Sequence, residues 1–140
     1  MDTKSFLQGS LAAEGFYCIW AHNKKTGHKP QKFFKTVDQL IREAHELDTN
    51  GYDCYYALAT FKEATTRKVT NTHKLQSFFF DIDCGEGKDY ETQEGAIVAL
   101  GSFCKTLNLP MPLLVNSGRG VHVYWRLSEP VIYDEWFPIA

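Results

Sequence analysis

Hydrophobic positions along the chain fall into two rhythms. Val37, Leu40, Ile41, Ala44 and Leu47 recur every three or four residues behind Thr36-x-x-Gln39. In that pattern the Thr and Gln side chains cap each other's backbone N–H groups. Asn50-Gly51 follows as a stop signal, so a helix is predicted here more clearly than anywhere else. Ile97, Leu100, Cys104 and Leu107 predict a second helix, ended by Asn108 and Pro110. Residues 3–14 predict a short first helix, and Asp134-Glu-Trp-Phe the start of another. Aromatic and β-branched blocks predict strands at 16–20, 52–61, 76–83, 113–116 and 121–127, with Pro130 interrupting afterwards. The run Phe78-Phe79-Phe80 is continuous and apolar, which predicts a strand buried on both faces. Residues 23–31 and 62–74 are polar and basic and predict loops, as do Gly85 and Gly87 for 84–90. Helices and strands alternate in mixed order with no internal repeat. That order predicts an α/β (α+β) fold with a mixed sheet flanked by helices.

Composition narrows the picture. A chain of 140 residues fits one domain and can bury roughly two thirds of its unfolded surface. Hydrophobic residues make up 44% and aromatics 14%, which excludes a disordered chain. Fifteen basic and seventeen acidic residues leave a formal charge of −2, which argues against bulk electrostatic attraction to nucleic acid. The charge is segregated, however. From His22 to Lys35 there are five lysines and no acid. From Lys62 to Lys74 there are four basic residues against Glu63, and from Asp81 to Glu94 six acids against Lys88. An acidic stretch between basic ones is expected if a metal pocket lies in a polyanion groove. Cys18, Cys54, Cys84 and Cys104 are widely spaced with no C-x-x-C pair, so a zinc ribbon or redox dithiol is not expected. Cys18, His22 and His28 lack an evident fourth ligand. No signal peptide and no apolar stretch of the ~20 residues of a membrane span is evident, so a cytoplasmic setting with free thiols is expected.

Two motifs carry chemistry. The first is Phe78-Phe79-Phe80-Asp81-Ile82-Asp83-Cys84-Gly85. Strand side chains alternate faces, so Asp81 and Asp83 project together and Ile82 away from them. Carboxylates about 6–7 Å apart on one face repel unless a cation lies between them. Hard oxygen donors select Mg²⁺ or Mn²⁺ over zinc. The second motif is Asn116-Ser117-Gly118-Arg119-Gly120-Val121-His122-Val123-Tyr124-Trp125. Its glycines let backbone N–H groups approach a ligand, and Ser117 and Arg119 are phosphate donors. His122, Tyr124 and Arg126 share one strand face, which aims His122 beside the turn. A metal beside a phosphate binder is the basic requirement of nucleotidyl transfer.

Together these motifs resemble the archaeo-eukaryotic primase superfamily, in particular the primase-polymerases of phages and mobile elements. The resemblance runs from about Tyr55 to Leu127. The hhhDhD strand corresponds to Phe78–Asp83 and the sxH element to residues 117–125, in the family's order. It implies template-directed primer synthesis or polymerisation in DNA replication, with Asp81 and Asp83 as ligands to Mg²⁺ or Mn²⁺. It further implies His122 on the incoming triphosphate, and Ser117, Gly118 and Arg119 in the same phosphate pocket. An α/β unit with an RRM-like sheet is the fold implied. The partners implied are a single-stranded DNA template, nucleoside triphosphates and a helicase domain or subunit, with no membrane. Arg67 and Lys68 could touch template or nucleotide. The family's third motif, a hydrophobic residue and an acid, is not recognisable before Ala140 and is expected beyond it. Residues 1–140 thus read as the N-terminal part of a catalytic domain, expected to bind metal or nucleotide weakly and not to polymerise alone.

Two other functions use the same residues. A metal-dependent nuclease or nucleotide hydrolase would employ the carboxylates with His122 as general acid or base. A non-catalytic nucleic-acid-binding module would stack bases on Tyr55, Tyr56, Tyr124 or Trp125.

Overall fold

The computed structural model describes residues 1–138. The elements are α1 (Thr3–Ser10), β1 (Tyr17–His22), β2 (Gln31–Phe34), α2 (Val37–Thr49), β3 (Asp53–Tyr56), β4 (Ala59–Phe61), β5 (Thr72–Asp83), α3 (Gln93–Thr106), β6 (Leu113–Asn116), β7 (Gly120–Ile132) and α4 (Tyr133–Trp136). A short 3-10 turn at Val69–Asn71 precedes β5. The class is α/β, and the chain divides into two compact units. Ser77–Leu127 forms one, and Met1–Gln76 with the stretch from Ser128 onward forms the other. Among the described residues no helix is long and apolar enough to cross a membrane.

In the first unit β1 is the middle strand of an antiparallel sheet ordered β2-β1-β3. Tyr17, Ile19 and Ala21 point to one face, where they pack with Leu7, Val37, Leu40 and Leu47 of the two helices and with Leu11, just past the first. Burying each such side chain contributes about 1.5–3 kcal/mol. The α2 helix begins as its sequence demands. The Thr36 hydroxyl accepts from Gln39 N–H, and Gln39 Oε1 accepts from Thr36 N–H. Asp2 caps α1 by accepting from Ser5 N–H. That helix stops at Ser10, short of the predicted residue 14, because Leu11 turns to an extended backbone and is buried at 2% exposure. Tertiary packing outweighs helix propensity there.

Strand boundaries differ from the pattern in several places, among them a β1 that runs on to His22 and a β2 that the pattern does not predict. The block 52–61 is two strands, β3 pairing with β1 and β4 with β5. The β5 strand starts at Thr72 rather than Gln76. Its polar opening is stable in a sheet because Lys74 Nζ lies 2.7 Å from Glu14 while Leu75 is buried. The β7 strand runs through Pro130 to Ile132. β6 pairs with β7 over Val121–Tyr124, so past Tyr124 that side of β7 is an edge, where proline is tolerated, while β5 remains the neighbour on the other side. The predicted last helix is present, starting at Tyr133, one residue before the acidic pair, and Glu135 caps it by accepting from Ile132 N–H.

The second unit contains the end of β5, the start of β7, and β6, in the order β5-β7-β6. One helix, α3, covers one face of this sheet. Leu100 and Cys104 pack there on Val121 and Val123, with Ile82, Leu114 and Trp125 at the margin.

Candidate active site

The face of the second unit's sheet opposite α3 carries the candidate residues, and strand alternation decides which ones. Ile82 packs toward α3, so Asp81 and Asp83 project from the opposite face, both exposed at the end of β5. On β7, Val121 and Val123 likewise go to the core, which sends His122 and Tyr124 to the same face as the acids, His122 at its exposed end and Tyr124 in its buried part. Phe79 confirms the register. Its ring lies 5.2 Å from His122, edge-on, and 5.1 Å from Tyr124. Phe80 is on the helix-side face against Trp125 and is 50% exposed, so the Phe run is not buried on both faces as predicted. α3 is too short a cover to reach the whole of that face.

His122 Nε2 sits 3.7 Å from Asp81 Oδ1, close enough for ion pairing but too long for a hydrogen bond. The two side chains are 34% and 52% exposed, so this pair is open to a ligand. Asp83 is engaged differently. Lys88 Nζ donates to its Oδ2 at 2.9 Å, and that hydrogen bond, then the carboxylate's charge, raises the Lys88 pKa above the usual lysine value. Lys88 reaches back because the loop after β5 closes on itself, with Gly85 N–H donating to Tyr90 O and Lys88 N–H to Gly85 O.

The Ser-Gly-Arg-Gly turn is joined to the acidic strand through backbone. Cys84 N–H, one residue past Asp83, donates to Arg119 O at 2.9 Å. Gly120 permits this approach, since a Cβ there would collide with the Ile82 carbonyl and come within 3.2 Å of Asp83 Cα. Inside the turn Ser117 N–H donates to Gly120 O, and Gly118 N–H donates to Asn116 Oδ1 at 2.7 Å. The Gly118 N–H, one of the glycine groups expected to approach a ligand, is thus used internally. The exposed donors left to the turn are the Ser117 hydroxyl and the Arg119 guanidinium. Gln93 locks the arrangement, its Nε2 donating to both Asn116 Oδ1 and Gly120 O.

Asp81, Asp83 and His122 therefore share one end of one sheet face, and the turn of Ser117, Gly118 and Arg119 adjoins that end through the Cys84–Arg119 backbone bond. Gln93 and Lys88 join them and escape a motif reading. Gln93 is an ordinary helix-start residue in sequence, and Lys88 shows only as the single base in an acidic run. The donor set is oxygen-rich, which fits a hard divalent ion better than zinc. Among the described residues no three His, Cys, Asp or Glu side chains converge to hold an ion unaided. Mg²⁺ commonly keeps water and takes phosphate oxygens beside one or two carboxylates, and the pair suits such a partial cage. Elsewhere, Cys18 is buried, and burial pushes its thiol up to about 11, unsuited to metal ligation. Tyr124 is buried and Tyr56 packs against the first unit's core, so neither offers a stacking face.

No protein-family model and no curated protein matches the chain. A solved structure that does is the AEP domain of the cyanophage S-2L primase-polymerase (PrimPol). The likeness covers 89% of this chain and 60% of that one, with a TM-score of 0.56 and 19% identity. The shared feature is the fold, and the chain spans 60% of the structure that it matches.

Proposed function

We propose that the chain takes part in DNA-templated nucleotidyl transfer, extending or starting a strand on single-stranded DNA from nucleoside triphosphates. One observation carries this reading. The imidazole of His122 and the carboxylate of Asp81 share the exposed end of one sheet face 3.7 Å apart, with Asp83 on the same strand face. The fold shared with a primase-polymerase domain supports it.

In this reading Asp81 and Asp83 would hold Mg²⁺ or Mn²⁺, which would supply charge stabilisation to the triphosphate and the attacking hydroxyl. The reaction joins a 3′-oxygen to the α-phosphorus, and pyrophosphate leaves. His122 donates a hydrogen bond to a triphosphate oxygen, and Arg119 and the Ser117 hydroxyl bind neighbouring oxygens. Gly118 and Gly120 keep the turn narrow, and Gln93 fixes it from behind. The Lys88 ammonium, hydrogen-bonded to Asp83, would compete with a cation there. Nothing in the geometry assigns a helicase partner.

The test is incubation with single-stranded template, Mn²⁺ and labelled nucleotides. Mn²⁺-dependent nucleotide binding that is lost in Asp81→Asn and His122→Ala is expected of this chain, without robust product. Strand cleavage, or undiminished nucleotide binding by Asp81→Asn, overturns the proposal.

A further inference from the structure

We infer that the open face of the three-stranded sheet in the first unit binds single-stranded nucleic acid by base stacking. This site uses none of the residues assigned to nucleotidyl transfer, and it gives a place in the fold to Tyr55, Arg67 and Lys68, which the sequence alone singles out. Directly opposed residues of an antiparallel pair share a face. Trp20 opposes Gln31 on one side and Tyr55 on the other, so these three form a row across β2-β1-β3. Ile19 and Ala21 pack toward the helices, which puts the row on the other face. The Trp20 and Tyr55 rings lie 5.2 Å apart at 43°, and Tyr55 is 53% exposed. Nearer Cys18 the same face is closed, because Phe33, which opposes Cys18, packs edge-on against Phe61.

The chemistry around the row selects a polyanion with flat groups. The Arg67 guanidinium lies 5.7 Å from the Trp20 ring centroid, and its Nε donates to Gln31 Oε1 at 2.7 Å. Arg67 is thereby held over an aromatic ring with its charge exposed, a phosphate donor beside a stacking surface. Lys68 follows it, and Lys25 and Lys29 are exposed in the loop joining β1 to β2. The acid on this side of the sheet, Asp53, is neutralised by Lys24 at 2.7 Å. Glu63 is the acid of the Arg67 loop and leaves that loop net basic. An exposed tyrosine and a half-buried tryptophan set among exposed basic groups fit unpaired bases and their phosphates, because every base offers a π-face whatever its sequence. Duplex DNA hides its base faces and does not fit.

The test titrates the 140-residue chain with fluorescein-labelled dT12 and rU12 at two salt concentrations. Tyr55→Ser and Arg67→Gln are surface changes that leave the core intact, and circular dichroism verifies folding. Each is expected to weaken binding about tenfold, and Arg67→Gln to lower the salt slope by about 0.7. Preference for dT12 or rU12 identifies which polymer the face reads. Asp81→Asn is expected to bind both oligonucleotides as well as the parent chain while losing Mn²⁺-dependent nucleotide binding, so failure here and failure of the nucleotidyl-transfer reading are separable. Absence of binding by the parent chain, or binding within twofold in both Tyr55→Ser and Arg67→Gln, overturns the inference.

Discussion

The two units handle charge in opposite ways. In the first, ion pairs tie together elements distant in sequence. Lys4 meets Asp38 at 2.7 Å, Lys32 meets Glu43 at 2.6 Å, and Lys74 meets Glu14 at 2.7 Å. In the second, acids collect at the end of β5. Asp83 finds a lysine five residues away, and Asp81 faces an imidazole beyond hydrogen-bonding distance. Exposed pairs of either kind add little stability, typically about 0–1 kcal/mol. The contrast therefore concerns placement. One unit distributes its charge over its own scaffold, whereas the other gathers it at one mouth, where ligand binding is the return for the repulsion.

The comparison can be broken most forcefully through backbone fit. Gly120→Ala forces a methyl group into the Ile82 carbonyl and is expected to cost about 3 kcal/mol or more, read by urea denaturation. Gly15→Ala is the counterpart in the first unit. Its Cβ would meet Phe61 O at 2.8 Å at a φ of 97°, and a similar loss is expected. Only the Gly120 change should also displace Cys84 from Arg119, so Mn²⁺ binding should fall in it and survive in folded Gly15→Ala. Next in size, Asp81→Asn is expected to lower Mn²⁺ affinity about a hundredfold, at least the loss seen when a ligand's supporting group is removed. Its thermal stability should stay level, since the side chain's one charged neighbour is the 3.7 Å contact. Calorimetry reads both.

Smaller effects sharpen the contrast. Thr36→Ala removes the α2 cap and should cost about 1 kcal/mol in the first unit alone, seen as a lower Tm with unchanged Mn²⁺ binding. Cys18 supplies a pH effect. Its thiol is raised by burial from 9.0 to about 11, so the folded state holds that proton more tightly than the unfolded chain. The associated stability is complete below pH 9 and is lost as pH rises through about 11, and Cys18→Ser should flatten that limb of the stability profile. The smallest effect is expected from Lys88→Met. Removing the ammonium from Asp83 should tighten Mn²⁺ a few-fold, measured by the same calorimetry.

What the sequence discloses follows locality. The α2 helix was legible to the cap because its signals lie within four residues. Strand alternation sufficed to put Asp81, Asp83 and His122 on common faces, and their union at one sheet end is what the geometry adds. Features made by distant residues were not legible. Lys74 and His73 look like loop residues until Glu14, sixty positions earlier, is seen beside Lys74. The 52–61 block carries no break because its apolar residues serve two sheets in succession. The turn at 117–120 consumes its own N–H groups through Asn116 and Gly120, a geometry that a glycine count cannot reveal. Trp20 gains its neighbours Tyr55 and Arg67 only once three strands are aligned.

The central claim is that a cation bound by Asp81 and Asp83 lies beside the His122 imidazole. Proton NMR during Mn²⁺ titration tests it directly, because the paramagnetic ion broadens nearby ring resonances and the chain has five histidines. The His122 ring is expected to broaden first, at substoichiometric Mn²⁺, and to sharpen again in Asp81→Asn. Broadening that begins at another histidine, or that persists at His122 when both aspartates are replaced by asparagine, would contradict the account.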